Sequence, residues 1–312
     1  MARKINNINY DRRLDKEVKL YIKKLQSVAG QPPNADINRI RLSYNAVCDA
    51  FKSELPDQVK INTHSIIRAE RKISFREYKK DSNAKAQILY AHGGGFIMGG
   101  LETHNGICAD ICDQTGLMVT AVDYRLSPEY RHPAAFEDLL EIYKNLDQTI
   151  PVIVAGDSAG GTLVAMLANH LKHSTNPLKG QVLIYPYLGG DMTTGSYLKH
   201  SNAPCLTSAD MKFYLKCWMK TGYNSVKLPL NETDFSRLPP TVIFTASDDP
   251  LNSDGINYKE RINLAKGKVI HFEGEGLVHG FLRARYTSKK AKLLFKKIIE
   301  TIIAISETKS KW

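Results

Sequence analysis

Short apolar runs alternate with segments of helical spacing from Lys72 onward, and this alternation restricts the possible folds more than any other feature of the chain. It is typical of a parallel sheet with crossover helices. Most of the runs are apolar throughout, as strands buried on both faces are. The sequence therefore predicts an α/β fold with a mostly parallel central sheet flanked by helices. The predicted strands are Ile73–Tyr78, Gln87–Ala91, Leu117–Asp123, Pro151–Ala155, Gln181–Tyr185, Thr241–Ala246 and Lys268–Phe272.

The composition of the 312-residue chain is that of a soluble globular protein, with 43% apolar and 24% charged residues. No window holds the roughly 18 uninterrupted apolar residues that a membrane span needs. Met1 to Tyr21 lack the apolar region of a secretory signal. Five scattered cysteines in a chain of this length favour a reducing compartment. We therefore expect a soluble, cytoplasmic protein.

A net charge of +11 suggests a nucleic acid or an anionic membrane as a partner. The basic residues, however, occur as short doublets beside apolar residues, for example Arg12-Arg13 and Lys296-Lys297. This pattern is typical of solvated faces, because nucleic-acid binders usually concentrate charge on one element. The basic helix predicted over about Ser288–Ile305 could lie on a membrane, but we expect it to cover the sheet. We therefore expect neither a nucleic-acid partner nor stable membrane insertion.

Two stretches depart from the alternation of strands and helices. Apolar spacing predicts a helix over Asp11–Ala29, ended by Gly30 and Pro32-Pro33, and a second helix over about Ile37–Lys52. Between residues 190 and 237 a polar and aromatic stretch is inserted between two strands. Both stretches could lie over the carboxyl ends of the strands, where open α/β sheets bind ligands. We therefore predict a helical cap from residues 1–52 and about 190–237, on a main α/β domain of residues 53–312.

The segment Gly156-Asp157-Ser158-Ala159-Gly160 lies between an apolar run and a helical run and matches the nucleophile-elbow pattern G-x-S-x-G. The flanking glycines permit a sharp turn from strand to helix, which exposes the serine hydroxyl at the end of the strand. The helix then begins beside the serine, so its positive end and free N–H groups lie where an oxyanion would form. We interpret Ser158 as a catalytic nucleophile.

The segment His92-Gly93-Gly94-Gly95-Phe96 follows another predicted strand. Acyl transfer places negative charge on a carbonyl oxygen, and backbone N–H groups without bulky side chains can surround that oxygen. We therefore predict an oxyanion hole. Its predicted donors are the amides of Gly93, Gly94, Gly95 and Ala159, the residue after the nucleophile.

A base and an acid are expected later in the chain, because hydrolases with such an elbow carry them in the order Ser, Asp or Glu, His. One predicted strand ends at Ser247-Asp248-Asp249-Pro250, and the next is followed by His279 in a glycine-bracketed loop. His279 is the candidate base. Either Asp248 or Asp249 could be the acid, and we favour Asp249 because it directly precedes Pro250-Leu251.

A metal site is an alternative use of His104, Cys108 and Cys112, which recur at four-residue steps on one predicted helix. Three ligands on one helix without an obvious fourth make a poor closed site. We therefore expect two packed thiols and a histidine near the helix end, with no metal and no organic cofactor.

Five motifs occur in a fixed order along the chain: His92-Gly-Gly-Gly-Phe, Asp123-Tyr-Arg-Leu-Ser-Pro-Glu129, Gly156-Asp-Ser-Ala-Gly-Gly161, Asp249-Pro-Leu and His279-Gly-Phe. With these motifs the chain resembles the bacterial hormone-sensitive-lipase family of α/β-hydrolase esterases, and the similarity extends to Leu14-Asp-Lys-Glu-Val and Gly30-Gln-Pro-Pro near the start. The resemblance implies Ser158 as nucleophile, Asp249 and His279 as its partners, and an α/β-hydrolase fold with a helical cap over the active site.

The resemblance also implies structural, charge-paired roles for Arg125 and Glu129 beneath the active site. The chain departs from the family pattern in two places. Family members commonly carry D-P-L-x-D, whereas Asp254 falls one residue later here. The loop before His279 is about two residues longer than usual.

The sequence thus predicts a serine carboxylesterase that hydrolyses short- to medium-chain esters through an acyl-enzyme. The expected partner is a small-molecule ester, and the chain could be a monomer or a homodimer. An amidase or peptidase with the same triad is one alternative, and a non-catalytic binding protein of the same fold is another. The aromatic side chains expected to wall an acyl pocket are Tyr21, Phe213, Tyr214 and Trp218.

Overall fold

The computed structural model describes residues 8–29, 36–80, 85–220 and 226–307. Within them, eight strands form one sheet in the order β1-β2-β4-β3-β5-β6-β7-β8, in which β2 runs antiparallel to both of its neighbours and the later pairs are parallel. The prediction of a mostly parallel sheet is confirmed. The strands are β1 (Lys60–Arg68), β2 (Arg71–Lys79), β3 (Gln87–Ala91), β4 (Met118–Asp123), β5 (Val152–Asp157), β6 (Gly180–Ile184), β7 (Thr241–Asp248) and β8 (Val269–Val278).

Helices cover both faces of this sheet. Alternate side chains of β3 enter different cores, Ile88 and Tyr90 on one face and Leu89 and Ala91 on the other, as the two-residue period of a strand requires. The helices are α1 (Tyr10–Arg13), α2 (Lys16–Ala29), α3 (Ile37–Ala50), α4 (Leu101–Thr115), α5 (Ala134–Asn145), α6 (Ala159–Leu171), α7 (Gly195–Lys199), α8 (Ser208–Trp218), α9 (Asn252–Leu264) and α10 (Lys289–Glu307).

The structure adds strand β1 and lengthens β8 relative to the sequence prediction. Strand β1 pairs only with β2 at the sheet edge and is exposed along most of its length, so it lacks the apolar pattern of the inner strands. We predicted that the last strand ends at Phe272, before Gly274, whereas β8 continues to Val278, which pairs with Asp248 of β7. The ends of β7 and β8 therefore lie side by side.

The N-terminal helix is broken in two, contrary to the single helix predicted over Asp11–Ala29. Leu14 has an extended backbone and is buried, and the Asp15 carboxylate accepts a hydrogen bond of 2.9 Å from the Val18 amide. That hydrogen bond caps the start of α2. The second helix ends at Ala50 rather than Lys52. The predicted helix stop at Gly30 and Pro32-Pro33 lies outside the described residues.

The C-terminal helix α10 packs on the sheet with Phe295, Ile298 and Ile302 buried. Helices α7 and α8 lie in the insertion between β6 and β7. None of the described helices combines the length and the apolar character needed to cross a membrane.

Candidate active site

Ser158 occupies the sharp turn between β5 and α6, with backbone angles of φ 52° and ψ −119° that a residue with a side chain rarely adopts. The turn is held because backbone packs directly on backbone. A Cβ on Gly160 would lie 2.0 Å from the carbonyl oxygen of Ala91, and one on Gly156 would lie 2.6 Å from the Gly160 backbone. The glycines are therefore required by close approach, and the turn directs the serine hydroxyl into a cavity.

His279 follows β8 directly, and its imidazole lies between a hydroxyl and a carboxylate. Its Nε2 atom is 2.9 Å from Ser158 Oγ, and its Nδ1 atom is 2.7 Å from Asp249 Oδ2. The Asp249 side chain is buried, and its second oxygen accepts a hydrogen bond of 2.9 Å from the Leu251 amide. The three side chains thus form the hydrogen-bonded relay needed to draw a proton from a serine hydroxyl.

Asp248 precedes Asp249 but has different partners. Its carboxylate forms an ion pair with Arg13 of α1 and accepts a hydrogen bond of 2.7 Å from Ser247 Oγ. Of the two acids that the sequence left open, Asp249 is the one in contact with His279.

The glycine loop after β3 offers two backbone donors rather than the predicted three. The Gly93 amide donates to Asp157 Oδ1 at 2.9 Å and is buried, so it is not available to a substrate. Gly94 and Gly95 line the cavity beside Ser158, and their amides have no acceptor within the described part of the chain. The Ala159 amide opens α6, where helical N–H groups lack intrahelical partners.

Asp157 fixes this loop, a role that the sequence analysis did not predict. Its carboxylate accepts hydrogen bonds from Tyr90 Oη at 2.8 Å, from the Gly93 amide at 2.9 Å and from Tyr185 Oη at 3.3 Å. Burial by itself would raise the pKa of Asp157, but neighbouring His104, Tyr90 and Arg283 outweigh burial and hold the pKa below its ordinary value. A charged, fully bonded carboxylate therefore ties the glycine loop to β5. Its place directly before the nucleophile was the available sequence signal.

His104, Cys108 and Cys112 are all buried on α4. His104 Nε2 lies 3.3 Å from Asp157 Oδ1, and burial raises the pKa of the Cys108 thiol well above its usual range. Within residues 8–29, 36–80, 85–220 and 226–307, no group of three or more His, Cys, Asp or Glu side chains is placed to hold a metal ion.

A cavity of about 350 Å³ surrounds Ser158 and His279. Helices α2, α3 and α8 supply much of its wall, including Tyr21, Tyr44 and Tyr214. Phe213 also lines it, but the prediction for Trp218 is wrong. The Trp218 ring is fully buried and stacks on Phe96 with ring centroids 3.7 Å apart, so it supports the wall from behind.

A sequence profile of the family described as alpha/beta hydrolase fold matches residues 88–283, a range that includes Ser158, Asp249 and His279. The chain belongs to this family. The predicted resemblance to the bacterial hormone-sensitive-lipase branch of alpha/beta hydrolases and the predicted fold are confirmed.

Relatives of this alpha/beta hydrolase include two proteins of Mycobacterium tuberculosis. The chain is 33% identical over 208 residues to esterase LipI and 31% identical over 211 residues to carboxylesterase NlhH, and each match covers 62% of this chain. The matches span 65% and 66% of the relatives' own lengths, slightly less than two thirds. Among solved structures, the hyperthermophilic esterase of the archaeon Pyrobaculum calidifontis has a TM-score of 0.84 at 27% identity, covering 94% of this chain and 99% of that one.

Arg125 and Glu129 are both charge-paired, as the resemblance implies, but not with each other. Arg125 donates to Asp138 at 2.8 Å and to Glu137 at 3.0 Å. Glu129 accepts from Arg41 of α3 at 2.6 Å. Glu129 therefore attaches α3, a wall helix of the cavity, to the segment between β4 and α5.

Asp254, displaced by one residue from the family pattern, is fully buried on α9. Its Oδ2 atom accepts hydrogen bonds from the Leu188 amide at 2.7 Å and the Gly190 amide at 3.3 Å. Burial outweighs these hydrogen bonds and raises the pKa of Asp254 to about 6. The displaced acid thus anchors the start of the 190–237 insertion.

Proposed function

We propose that this alpha/beta hydrolase is a serine carboxylesterase that acts through an acyl-enzyme on Ser158. The observation that carries the proposal is the relay of 2.9 Å and 2.7 Å from Ser158 through His279 to Asp249. It lies in one cavity with the Gly94 and Gly95 amides, which have no acceptor among the residues that the structure describes. The names of the relatives, esterase and carboxylesterase, support ester hydrolysis as the reaction.

In the proposed reaction, His279 Nε2 takes the proton of Ser158 as Oγ attacks the ester carbonyl. Asp249 holds the imidazole tautomer and stabilises the imidazolium that forms. The amides of Gly94, Gly95 and Ala159 donate to the oxyanion. His279 then gives its proton to the leaving alcohol, and a water molecule repeats the sequence on the acyl-enzyme to release the acid.

The size and wall of the cavity support short- to medium-chain esters as substrates. A volume of about 350 Å³ is at the small end of the range for ligand sites, and most of its wall is apolar or aromatic. We also propose that residues 1–52 and 190–237 act as a helical cap on the catalytic domain of residues 53–312. Support for the cap comes from α2, α3 and α8, which contribute to the cavity wall.

Replacing the nucleophile tests the proposal. Because the acyl-enzyme forms on Ser158 Oγ, Ser158→Ala should lower kcat for p-nitrophenyl butyrate by about 10⁵-fold or more. Circular dichroism should show an unchanged fold. Turnover near that of the wild type would contradict the proposal.

A series of p-nitrophenyl esters from acetate to decanoate tests the substrate range. We expect the highest kcat/KM between acetate and octanoate, because longer chains exceed the cavity. An optimum at decanoate would contradict the proposed range but not the esterase activity.

A further inference from the structure

A guanidinium that has no ion-pair partner among the described residues lies in the wall of the candidate active site. Arg283 belongs to the short 3-10 helix Phe281–Ala284, which begins two residues after His279. The Arg283 side chain lines the same cavity as Ser158 and His279. The proposed mechanism gives it no role.

The direct partners of Arg283 are neutral. Its Nη1 donates to the Thr103 carbonyl oxygen at 2.9 Å, and its Nη2 donates to Tyr44 Oη at 2.9 Å. The guanidinium carbon also lies 5.3 Å from the centre of the Tyr44 ring. Within the described ranges, no carboxylate lies within the 4.0 Å of an ion pair with Arg283.

Arg285, two residues later, shows the usual arrangement. It is buried, and its guanidinium meets Asp110 at 2.7 Å. Arg283 is partly buried, and a charge removed from water without an opposite charge in contact is costly, so the lack of an ion-pair partner at Arg283 requires an explanation that Arg285 does not.

The acids of the cavity wall make no ion pair with Arg283. Asp157 interacts with Arg283 electrostatically without direct contact, and its carboxylate oxygens already accept hydrogen bonds from Tyr90, Gly93 and Tyr185. The Asp210 carboxylate is held by Thr207 at the start of α8. A guanidinium has five N–H donors in a planar fork that fits a carboxylate. The hydrogen bonds to Thr103 and Tyr44 use two of these donors, so the others can bind a carboxylate.

We propose that Arg283 determines specificity by binding a carboxylate carried by the substrate, so that the preferred substrates are esters that also bear a free carboxylate, such as monoesters of short dicarboxylic acids. This inference rests on the proposed esterase function. The carboxylate takes no part in bond breaking. It fills the donors that the protein leaves open, and it could lie on the acid or on the alcohol portion of the ester.

The experiment compares matched anionic and neutral esters. For the acid portion, p-nitrophenyl monoglutarate is compared with p-nitrophenyl hexanoate. For the alcohol portion, 4-acetoxybenzoate is compared with its methyl ester. The quantity measured is the ratio of kcat/KM for the anionic ester to that for the neutral ester, in the wild type, Arg283→Gln and Arg283→Lys. Arg68→Gln is the control, because it also removes one positive charge but lies on the edge strand β1.

In at least one pair, Arg283→Gln should lower this ratio by about 10- to 100-fold, mainly through KM, since hydrogen bonds to charged groups have this strength. Arg283→Lys should keep part of the ratio, and Arg68→Gln should leave it as in the wild type. If Arg283 only balanced the charge of Asp157, Arg283→Gln would lower kcat/KM equally for the anionic and the neutral esters. An unchanged ratio in both pairs would overturn the proposal.

The wild type provides a second test that does not depend on the folding of a variant. It should hydrolyse the anionic ester of at least one pair no less efficiently than the neutral ester. A preference of more than about tenfold for the neutral ester in both pairs would overturn the role of Arg283. Hydrolysis of the neutral esters would persist in that case, which separates this failure from failure of the esterase proposal.

Discussion

Two adjacent acids at the end of β7 have separate roles in the proposed enzyme. Asp249 contacts His279, whereas Asp248 pairs with Arg13 and Ser247. Only Asp249 can orient the imidazole and stabilise its charged form. The Asp248 carboxylate holds α1 against the sheet.

The pair Asp249→Asn and Asp248→Asn separates these roles. We expect Asp249→Asn to lower kcat for a p-nitrophenyl ester by about 10³- to 10⁴-fold, because an amide favours the wrong imidazole tautomer. Asp248→Asn should reduce kcat by less than about tenfold. Steady-state kinetics on both variants checks this, and a larger loss from Asp248→Asn would contradict the assignment.

For single residues, the sequence motifs predicted which side chains form the candidate site but not all of their contacts. Ser158 and His279 follow from a spacing pattern that reflects strand ends, and the structure brings them within hydrogen-bonding distance. The occupied Gly93 amide could not be predicted, because it depends on Asp157 reaching across from β5 to the loop after β3. Arg283 gave no sequence signal, because its significance lies in the lack of a carboxylate in direct contact with it among the described residues.

The elbow between β5 and α6 depends on close contact between elements. A Cβ at Gly160 would lie 2.0 Å from the Ala91 oxygen and 2.5 Å from the Ala91 carbonyl carbon, both backbone atoms of β3. β3 is an inner strand paired on both sides, so these atoms cannot move without disturbing the sheet. Among the described residues, a Cβ on Gly106 of α4 would meet only the side-chain ends of Ser53 and Arg285, at 3.1 and 3.3 Å.

Alanine at these two helical glycines should therefore have different effects. Gly160→Ala should lower the free energy of unfolding by about 2–4 kcal/mol through overpacking. Gly106→Ala should change it by no more than about 1 kcal/mol, since alanine favours the helix by a similar amount. Urea denaturation of both variants measures this, and equal effects would contradict the packing argument.

The inner elements were predictable because burial on both faces leaves an apolar pattern, as in β3 and β5. The exposed edge strand β1 lacks that pattern, and its pairing with β2 stabilises it instead. The break between α1 and α2 comes from one side-chain cap at Asp15, which helical periodicity does not reveal. Local sequence patterns thus predicted the inner strands better than the edge strand and the helix ends.

For the whole molecule, the buried acid Asp254 makes stability depend on pH. Burial raises its pKa to about 6, above the value of about 3.9 in an unfolded chain. The folded protein therefore binds this proton more tightly than the unfolded chain does. The resulting stabilisation is fully present below pH about 4 and is lost as the pH rises through about 6.

Asp254→Asn removes this dependence. Between pH 4 and pH 7, the free energy of unfolding of the wild type should fall relative to that of the variant by up to about 3 kcal/mol, the equivalent of about two pKa units. Urea denaturation of both proteins at pH 4, 5.5 and 7 gives this difference. A difference that stays constant with pH would contradict the raised pKa.

Covalent labelling of the folded wild type by a fluorophosphonate tests the central claim most directly, because the reagent reacts only with an activated nucleophile and needs no knowledge of the substrate. We predict one equivalent of label on the peptide that contains Ser158, found by mass spectrometry. Ser158→Ala should remove the label, and His279→Ala should slow labelling strongly. A folded wild-type protein that takes up no label, or takes it up at another residue, would contradict the assignment of Ser158 as the nucleophile.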